Sequence, residues 1–227
     1  MATRTWLVTG ANRGLGFEMC RQLIARGDDV VATVRDPESA GVLRDPGPRR
    51  LLALDIADPA SVASFAKELG DEPIDVLINN AGIRGVGRGI EQLDFTAIER
   101  YFVINSIGPL RVVQALLPNL LQGSSKTIAA VSSNMGSLTN NQEGGADGYR
   151  SSKTALNMLN RSLAHELSGR GFVCVVLHPG WVRTDMGGTR APLAPEESVA
   201  GMLNVLDGLG PEDNGAFLDY QGQSVPW

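Results

Sequence analysis

Short apolar runs rich in β-branched residues alternate with longer amphipathic stretches along most of the chain. The runs predict strands at Trp6–Thr9, Asp29–Val34, Leu51–Leu54, Asp75–Asn79, Thr127–Ser132 and Val173–His178, with a last short strand at Ala216–Leu218. After the helix start signal Asp58-Pro59, apolar residues recur at i, i+3, i+4 and i+7, as a helix lying on a sheet requires. This alternation predicts an α/β fold with a doubly wound parallel sheet in three layers.

Composition and charge fit one ordinary globular domain. The chain has 227 residues, 43% of them hydrophobic, and no repeat or linker divides it, so we expect a single domain over residues 1–227. A net charge of -5 gives no basic surface for nucleic acid, and no apolar run approaches the ~18 residues of a membrane span. Cys20 and Cys174 are too few for a disulfide framework and predict buried thiols in the cytoplasm. His165 and His178 lack metal-ligand spacing, so no metal is expected.

A glycine-rich segment follows the first predicted strand and opens a helix that runs through Glu18 to Ala25. Its glycines allow a tight turn and a close approach to a pyrophosphate, which the helix N-terminus attracts. We therefore predict a Rossmann-like dinucleotide site; a close-packed strand-to-helix turn is the alternative, because the spacing is Gly-x-x-x-Gly-x-Gly. The candidate binding residues are Gly10, Asn12, Arg13, Gly14, Leu15 and Gly16.

The second predicted strand bears on which dinucleotide is bound. An acid near its end would hold the 2′-hydroxyl of NAD, but here the strand leads into Arg35. Arg35 and Arg13 would hold a 2′-phosphate, which favours NADP(H) over NAD. Asp36 is the counter-evidence, although with Pro37 after it a helix cap is the more plausible role.

The segment from Tyr149 to Lys153 places a phenol and an ammonium one helical turn apart. A neighbouring ammonium favours the phenolate, so Lys153 should lower the pKa of Tyr149 and make it a usable proton donor. Two unrelated polar residues on an exposed helix face are the alternative. The chain has only three lysines, Lys67, Lys126 and Lys153, against 17 arginines, and the choice of lysine here favours the chemical interpretation.

A proline marks a special position in the helical stretch predicted from Phe95 to Leu121. Pro109 has no N–H, so the carbonyl of Asn105, four residues earlier, loses its usual donor and the helix should kink. That carbonyl could hold a water in contact with Lys153. A plain proline kink with Asn105 exposed is the alternative.

Taken together, these motifs resemble those of the classical-type short-chain dehydrogenases/reductases over essentially the whole chain. The resemblance rests on Thr9 to Gly16, Asp55-Ile56, Asn79 to Gly82, Asn105, Ser133, Tyr149 to Lys153, and Pro179-Gly180. The segment His178 to Gly188 and the ending Phe217 to Trp227 resemble the C-factor and sniffer-like carbonyl reductases more narrowly.

The resemblance implies a role for each matching position. Asp55 and Ile56 would contact the adenine, Asn80, Ala81 and Gly82 the adenosine ribose, and Val182 and Thr184 the nicotinamide carboxamide. Asn105, Ser133, Tyr149 and Lys153 would be catalytic, with Tyr149 and Lys153 also binding the cofactor. Ser132 competes for the serine role, but the family pattern places the catalytic serine second. Exposed faces of the helices before Leu121 and after Tyr149 would form a homodimer or homotetramer.

We therefore predict an NADPH-dependent carbonyl reductase that acts on a small ketone, aldehyde or dione. A small lid at Thr184 to Pro195, with Met186 and Leu193 as apolar lining, would cover the substrate. An NADP-binding regulatory or signalling protein is the second hypothesis, and NAD-dependent alcohol oxidation is the third. Fold alone does not decide between them.

Overall fold

The computed structural model describes residues 3–38, 47–85 and 89–227. The described strands are β1 (Thr5–Thr9), β2 (Asp29–Val34), β3 (Arg50–Ala53), β4 (Val76–Asn79), β5 (Thr127–Val131), β6 (Val173–His178) and β7 (Phe217–Asp219). The described α-helices are α1 (Gly14–Ala25), α2 (Pro59–Leu69), α3 (Phe95–Phe102), α4 (Gly108–Gln122), α5 (Asp147–Leu167) and α6 (Pro195–Gly208). Within these residues no helix combines the length and apolar character needed to cross a membrane.

The seven strands form one parallel sheet in the order β3-β2-β1-β4-β5-β6-β7. The order runs outward from β1 in one direction and from β4 in the other. The strand order therefore reverses between β1 and β4, while all strands stay parallel. Ligands of open α/β sheets bind at this switch point, beyond the carboxyl ends of the strands. Thr9 ends β1 and Asn79 ends β4, and both therefore lie at the edge where a site is expected.

Apolar side chains cover both faces of the sheet, which confirms the three-layer α/β fold. On one face the core contains Met19 and Leu23 of α1 together with Met202 of α6. On the other it contains Phe65 of α2 and Leu116 of α4, with further contributions from α5. Each large apolar side chain buried in this way contributes roughly 1.5–3 kcal/mol to folding. The predicted apolar stripe of α2 is thus the face that packs on the sheet.

The predicted strands are found, with boundaries that differ by one residue at several ends. Leu54, Asp75, Ser132 and Ala216 lie just outside the strands to which they were assigned. The helix expected from Glu18 already begins at Gly14, because the turn of the glycine segment is itself the first helical turn. Asp36-Pro37 suggested the start of a helix. Such a helix would continue past Glu38, where the residues lie outside the described ones.

The stretch from Phe95 to Gln122 is helical throughout but is not one regular α-helix. A π-helical turn at Val103–Ile107 joins α3 to α4, and the amide of Gly108 donates to the carbonyl of Val103. Pro109 follows directly, at the start of α4. In this wider turn the hydrogen bond joins residues five apart, so the missing N–H of Pro109 is tolerated. The irregularity therefore occurs at Asn105, where the sequence predicted it, and Asn105 is fully buried rather than exposed.

Candidate active site

The glycine segment makes a tight turn between β1 and α1. Gly10 and Gly14 have φ values of 69° and 55°, a region that side chains disfavour. Gly16 has a normal φ but no room: a Cβ there would overlap the carbonyl oxygen of Gly10 and lie 2.5 Å from Nδ2 of Asn80. The glycines thus let the backbone at the start of α1 come close to the cleft, which suits a pyrophosphate.

The end of β4 is hydrogen-bonded to this turn. Asn80 donates through Nδ2 to the carbonyl of Thr9 at 2.8 Å and to that of Gly10 at 3.2 Å. The hydroxyl of Thr9 accepts from the amides of Asn80 and Ala81 at 3.0 and 3.1 Å. These bonds hold two adjacent strand ends in one arrangement, so the turn predicted at Asn79 to Gly82 is an ordered wall of the cleft.

A cavity of about 300 Å³ lies at this edge of the sheet. The predicted residues on its wall are Gly10, Asn12, Arg13, Gly14, Leu15, Arg35, Asp55, Ile56, Asn80, Ala81, Gly82, Tyr149, Lys153 and Thr184. Four of the predicted site residues are not on the wall itself: Gly16, Asn105, Ser133 and Val182. Gly16 and Asn105 lie behind it and support it, as their contacts show.

The two arginines expected to bind a 2′-phosphate both line this cavity. Arg13 is exposed and forms an ion pair of 2.9 Å with Asp185, in the segment after β6. Arg35 directly follows β2. Asp36 accepts from the amide of Glu38 at 3.0 Å, which is the local turn bond expected of a capping residue. The cleft therefore has cations at the end of β2, with the acid turned toward its own backbone.

Asp55 and Ile56 extend the cavity on the β3 side. Asp55 accepts from the amide of Ala57 at 2.9 Å, which fixes the turn before α2. Ile56 is buried, and its side chain contacts the π-helical turn so closely that a Cβ on Gly108 would lie 2.9 Å from Cδ1. An apolar wall of this kind suits a flat ring.

Tyr149 and Ser133 approach each other from α5 and from the segment after β5. The hydroxyl of Ser133 lies near enough to that of Tyr149 to favour the phenolate, and Oγ of Ser133 accepts from the amide of Met135 at 3.1 Å. Burial raises the pKa of Tyr149, against the lowering effects of the Ser133 hydrogen bond and the charge of Arg84. The pKa of Tyr149 is therefore shifted in the direction opposite to that expected from Lys153, because desolvation of the phenolate outweighs Ser133 and Arg84.

Ser132, the competitor for the serine role, also lines the cavity, but its hydroxyl is engaged by another residue. Its hydroxyl donates to Oδ1 of Asn157 on α5 at 2.7 Å, in a buried contact. The amide of Asn134, after the catalytic candidate Ser133, donates to Nδ1 of His178 at 3.2 Å. The end of β6 therefore holds the turn that carries Ser133. Burial lowers the pKa of His178, with the charge of Asp219 opposing it.

Lys153 is buried next to these groups. Its ammonium donates to the carbonyl of Val131 at 2.8 Å, and burial lowers its pKa to about 8. It also lies beside Gly82, where a Cβ would come within 3.6 Å of Nζ and 3.2 Å of Oδ1 of Asn105. A side chain at position 82 would therefore crowd the amide of Asn105 and contact the lysine.

The side chain of Asn105 acts as a clamp. Its Oδ1 accepts from the amide of Ile83 at 2.8 Å, and its Nδ2 donates to the carbonyl of Ile83 at 2.9 Å. Nδ2 also donates to the hydroxyl of Ser152 at 3.0 Å. Asn105 thus joins the π-helical turn to the end of β4 and to α5, a role that the spacing of Asn105 and Pro109 did not reveal. The water predicted at its main-chain carbonyl stays a prediction.

The segment after β6 closes the cavity. Thr184 and Met186 lie on the cavity wall, and a Cβ on Gly14 would contact Thr184 at 3.5 Å. Val182 is buried and pairs with Leu193. The expectation that Leu193 lines the substrate side is wrong, because Leu193 packs beneath this segment against Gly180.

The sequence reasoning missed Arg100 of α3, which lines the cavity, and two further charged residues in or near the cleft. Arg84 lies after the Asn-Asn-Ala-Gly turn with its guanidinium 5.5 Å from the ring centroid of Tyr149. Asp185 lines the cavity and pairs with Arg13. The only available signal was their position directly after a recognised motif. Among the described residues no group of three His, Cys, Asp or Glu side chains could hold a metal ion.

The fold and this cleft define a doubly wound α/β protein with a dinucleotide-type turn at its switch point and a tyrosine–lysine pair beside it. The model of the short chain dehydrogenase family matches residues 4–193, and the chain belongs to that family.

Individual relatives agree with this assignment. The chain is 53% identical over 164 residues to C-signal of Myxococcus xanthus, which covers 72% of this chain and 99% of that protein. Carbonyl reductase Sniffer of D. melanogaster superposes with a TM-score of 0.94 at 31% identity, with both chains covered fully. An NADPH-bound carbonyl reductase from chicken fatty liver does so with a TM-score of 0.93 at 38% identity, again over both full chains. The likeness to C-factor and sniffer-like members is confirmed.

Proposed function

We propose that the protein is an NADPH-dependent carbonyl reductase that acts on a small ketone, aldehyde or dione. One observation carries the proposal: Tyr149 and the buried Lys153 both line the cleft that the glycine turn opens, with Ser133 near the hydroxyl of Tyr149. Membership of an oxidoreductase family and the likeness to an NADPH-bound carbonyl reductase support it.

The residues fit such a cofactor. The turn at Gly10 and Gly14 leaves space for a pyrophosphate, Ile56 offers an apolar surface for adenine, and Arg35 and Arg13 offer cations for a 2′-phosphate. Asp55, Asn80 and Thr184 would complete the contacts along the cleft. When bound, NADPH supplies the hydride that reduces the carbonyl carbon.

The side chains of the site would handle the proton and the developing charge. Because burial raises the pKa of Tyr149, its hydroxyl stays protonated near neutral pH and is ready to act as an acid. Ser133 would hold the substrate oxygen by a hydrogen bond and stabilise negative charge there. Lys153, with its pKa lowered to about 8, still carries its proton at neutral pH and can bind the nicotinamide ribose. A relay past Asn105 would return the proton to Tyr149.

The test is NADPH consumption by the purified protein over a panel of aldehydes, ketones and diones. Tyr149→Phe should leave NADPH binding intact and lower turnover by about 10²–10⁴-fold, the usual contribution of a general acid. The matched control is Tyr220→Phe, because Tyr220 lies outside the described wall of this cavity. Turnover by Tyr149→Phe close to that of the wild type would remove Tyr149 from the mechanism.

A second candidate is an NADP-binding regulatory or signalling protein. The 53% identity to a protein named C-signal favours it. Tight NADPH binding with no turnover of any carbonyl would support this candidate. NAD-dependent alcohol oxidation, the third candidate, would be supported if NADH bound as tightly as NADPH despite Arg13 and Arg35.

Two further properties belong to the proposal. We expect the protein to work in the cytoplasm, where the buried free thiols of Cys20 and Cys174 stay reduced. We also expect a homodimer or homotetramer formed through exposed faces of α4 and α5. Light scattering that gives the mass of a monomer would overturn the second expectation.

A further inference from the structure

Arg84 lies beside Tyr149 of the candidate active site. The preceding residue, Ile83, has both its amide and its carbonyl bound by the side chain of Asn105. The following residue, Gly85, packs so closely on the hydroxyl of Tyr101 that a Cβ would overlap it. The backbone of Arg84 is therefore held on both sides, and its guanidinium lies 5.5 Å from the ring centroid of Tyr149.

The charge of Arg84 is not neutralised by any described residue. Within residues 3–38, 47–85 and 89–227 its guanidinium contacts the face of the Tyr149 ring and makes no hydrogen bond or ion pair. Arg13, at the cofactor end, differs because it pairs with Asp185 at 2.9 Å. Arg183, near the lid, differs because it donates to the carbonyls of Ala191 and Pro192.

Arg100 is a second exposed cation on the wall of this cavity, whereas two other charges there are already engaged. Lys153 is buried, and its ammonium donates to the carbonyl of Val131. Asp185 is held by Arg13. Arg84 thus places an exposed, planar set of donors over the ring of Tyr149, and arginine uses such donors to bind carboxylates and phosphates.

We propose that Arg84 determines substrate specificity by binding an anionic group, a carboxylate or a phosphate, on the carbonyl compound that Tyr149 protonates. This inference rests on the proposed reductase function and narrows its substrate class. The same cation also opposes the rise in the pKa of Tyr149, so the test must separate substrate binding from an effect on the acid.

The test compares aldehydes that share one skeleton and differ in charge: 4-carboxybenzaldehyde, 4-formylphenyl phosphate and the neutral methyl 4-formylbenzoate. KM and kcat are measured with NADPH for the wild type, Arg84→Gln and Arg84→Lys. Arg170→Gln is the matched control, since Arg170 is an exposed arginine just before β6, at the opposite edge of the sheet.

We expect Arg84→Gln to raise KM on the order of fivefold for one or both anionic aldehydes, the size of a partly exposed ion pair, without changing KM for the neutral ester. Arg84→Lys should keep part of the preference, and Arg170→Gln should keep all of it. Which anion responds identifies carboxylate or phosphate as the recognised group.

Equal KM values for charged and neutral aldehydes in the wild type and in Arg84→Gln would overturn the inference while leaving the reductase function standing. An equal loss of kcat on all three aldehydes would also overturn it, because Arg84 would then act through Tyr149 alone. No turnover of any of the three by the wild type would count against the proposed function itself, and the inference would fall with it.

Discussion

Replacing Asn105 with alanine removes the side chain that joins the end of β4 to α5. Asn105 is fully buried and makes three hydrogen bonds of 2.8 to 3.0 Å, two to the backbone of Ile83 and one to the hydroxyl of Ser152. Alanine keeps the helical backbone but makes none of them. The variant should therefore lose stability, and the backbone of Ile83 and Arg84 should become less well held.

The magnitude follows from the number of bonds. A protein hydrogen bond contributes about 1 kcal/mol net, so three give about 3 kcal/mol. Ile83 is only half-buried, so water can partly replace the lost partners, whereas Ser152 keeps its bond to the carbonyl of Tyr149 at 2.8 Å. The better helix propensity of alanine returns roughly 0.6 kcal/mol. We expect the free energy of unfolding to fall by about 2–3 kcal/mol and Tm by roughly 4–12 °C.

The assay is denaturant unfolding followed by circular dichroism, with kcat and KM measured on the same preparation. Asn204→Ala is the control, because Asn204 is exposed on α6 and its replacement should change stability by less than about 0.5 kcal/mol. A loss of stability below 1 kcal/mol for Asn105→Ala would refute the clamp. If stability is unchanged but kcat falls, Asn105 contributes to proton transfer without holding Ile83.

Three further changes test other parts of the site. Arg35→Ala should weaken NADPH binding by roughly 10- to 100-fold, since hydrogen bonds to charged groups contribute about 1.5–3 kcal/mol, and should leave NADH binding unchanged. Titration calorimetry with both cofactors checks this. An unaltered preference for NADPH would exclude Arg35 from binding the 2′-phosphate. Gly16→Ala should abolish NADPH binding, because the added Cβ overlaps the carbonyl of Gly10; retained binding in the same titration would show that the turn can move. Nδ1 of His178 accepts from the amide of Asn134 only when the imidazole is neutral. Burial lowers the pKa of His178 from its usual value near ~6.5. We therefore expect kcat to be intact above the lowered pKa and to fall as the pH drops through it. His178→Asn, whose Oδ1 accepts at any pH, should flatten this acid limb, and an unchanged limb would assign it to another group.

The fold could be predicted because its signals are local and repeated. β-branched runs and amphipathic stripes recur along the chain, and each predicted strand is found within one residue of its place. The glycine turn was also predictable, since a strand, three glycines and a helix follow one another directly. The irregular turn around Asn105 followed from the chemistry of Pro109 alone.

The remaining features depend on contacts between distant segments. The bonds from Asn105 to Ile83 span 22 residues in sequence, and no periodicity connects the two. The placement of Arg84 over Tyr149 is a contact between a loop and a helix far along the chain. The direction of the Tyr149 pKa was predicted wrongly for the same reason. The spacing from Tyr149 to Lys153 shows which charge is near, but the degree of desolvation is set by packing.

The raised pKa of Tyr149 favours one direction of the proposed reaction. Reduction needs a protonated hydroxyl that gives its proton to the substrate oxygen, and burial stabilises that neutral form. Oxidation of an alcohol needs the phenolate as base, which burial makes scarce near neutral pH. Bringing an anionic substrate group to Arg84 would partly neutralise the cation that favours the phenolate, and so would keep Tyr149 protonated during binding. The desolvated tyrosine and the exposed arginine beside it are therefore consistent with a site that favours reduction of a charged carbonyl compound.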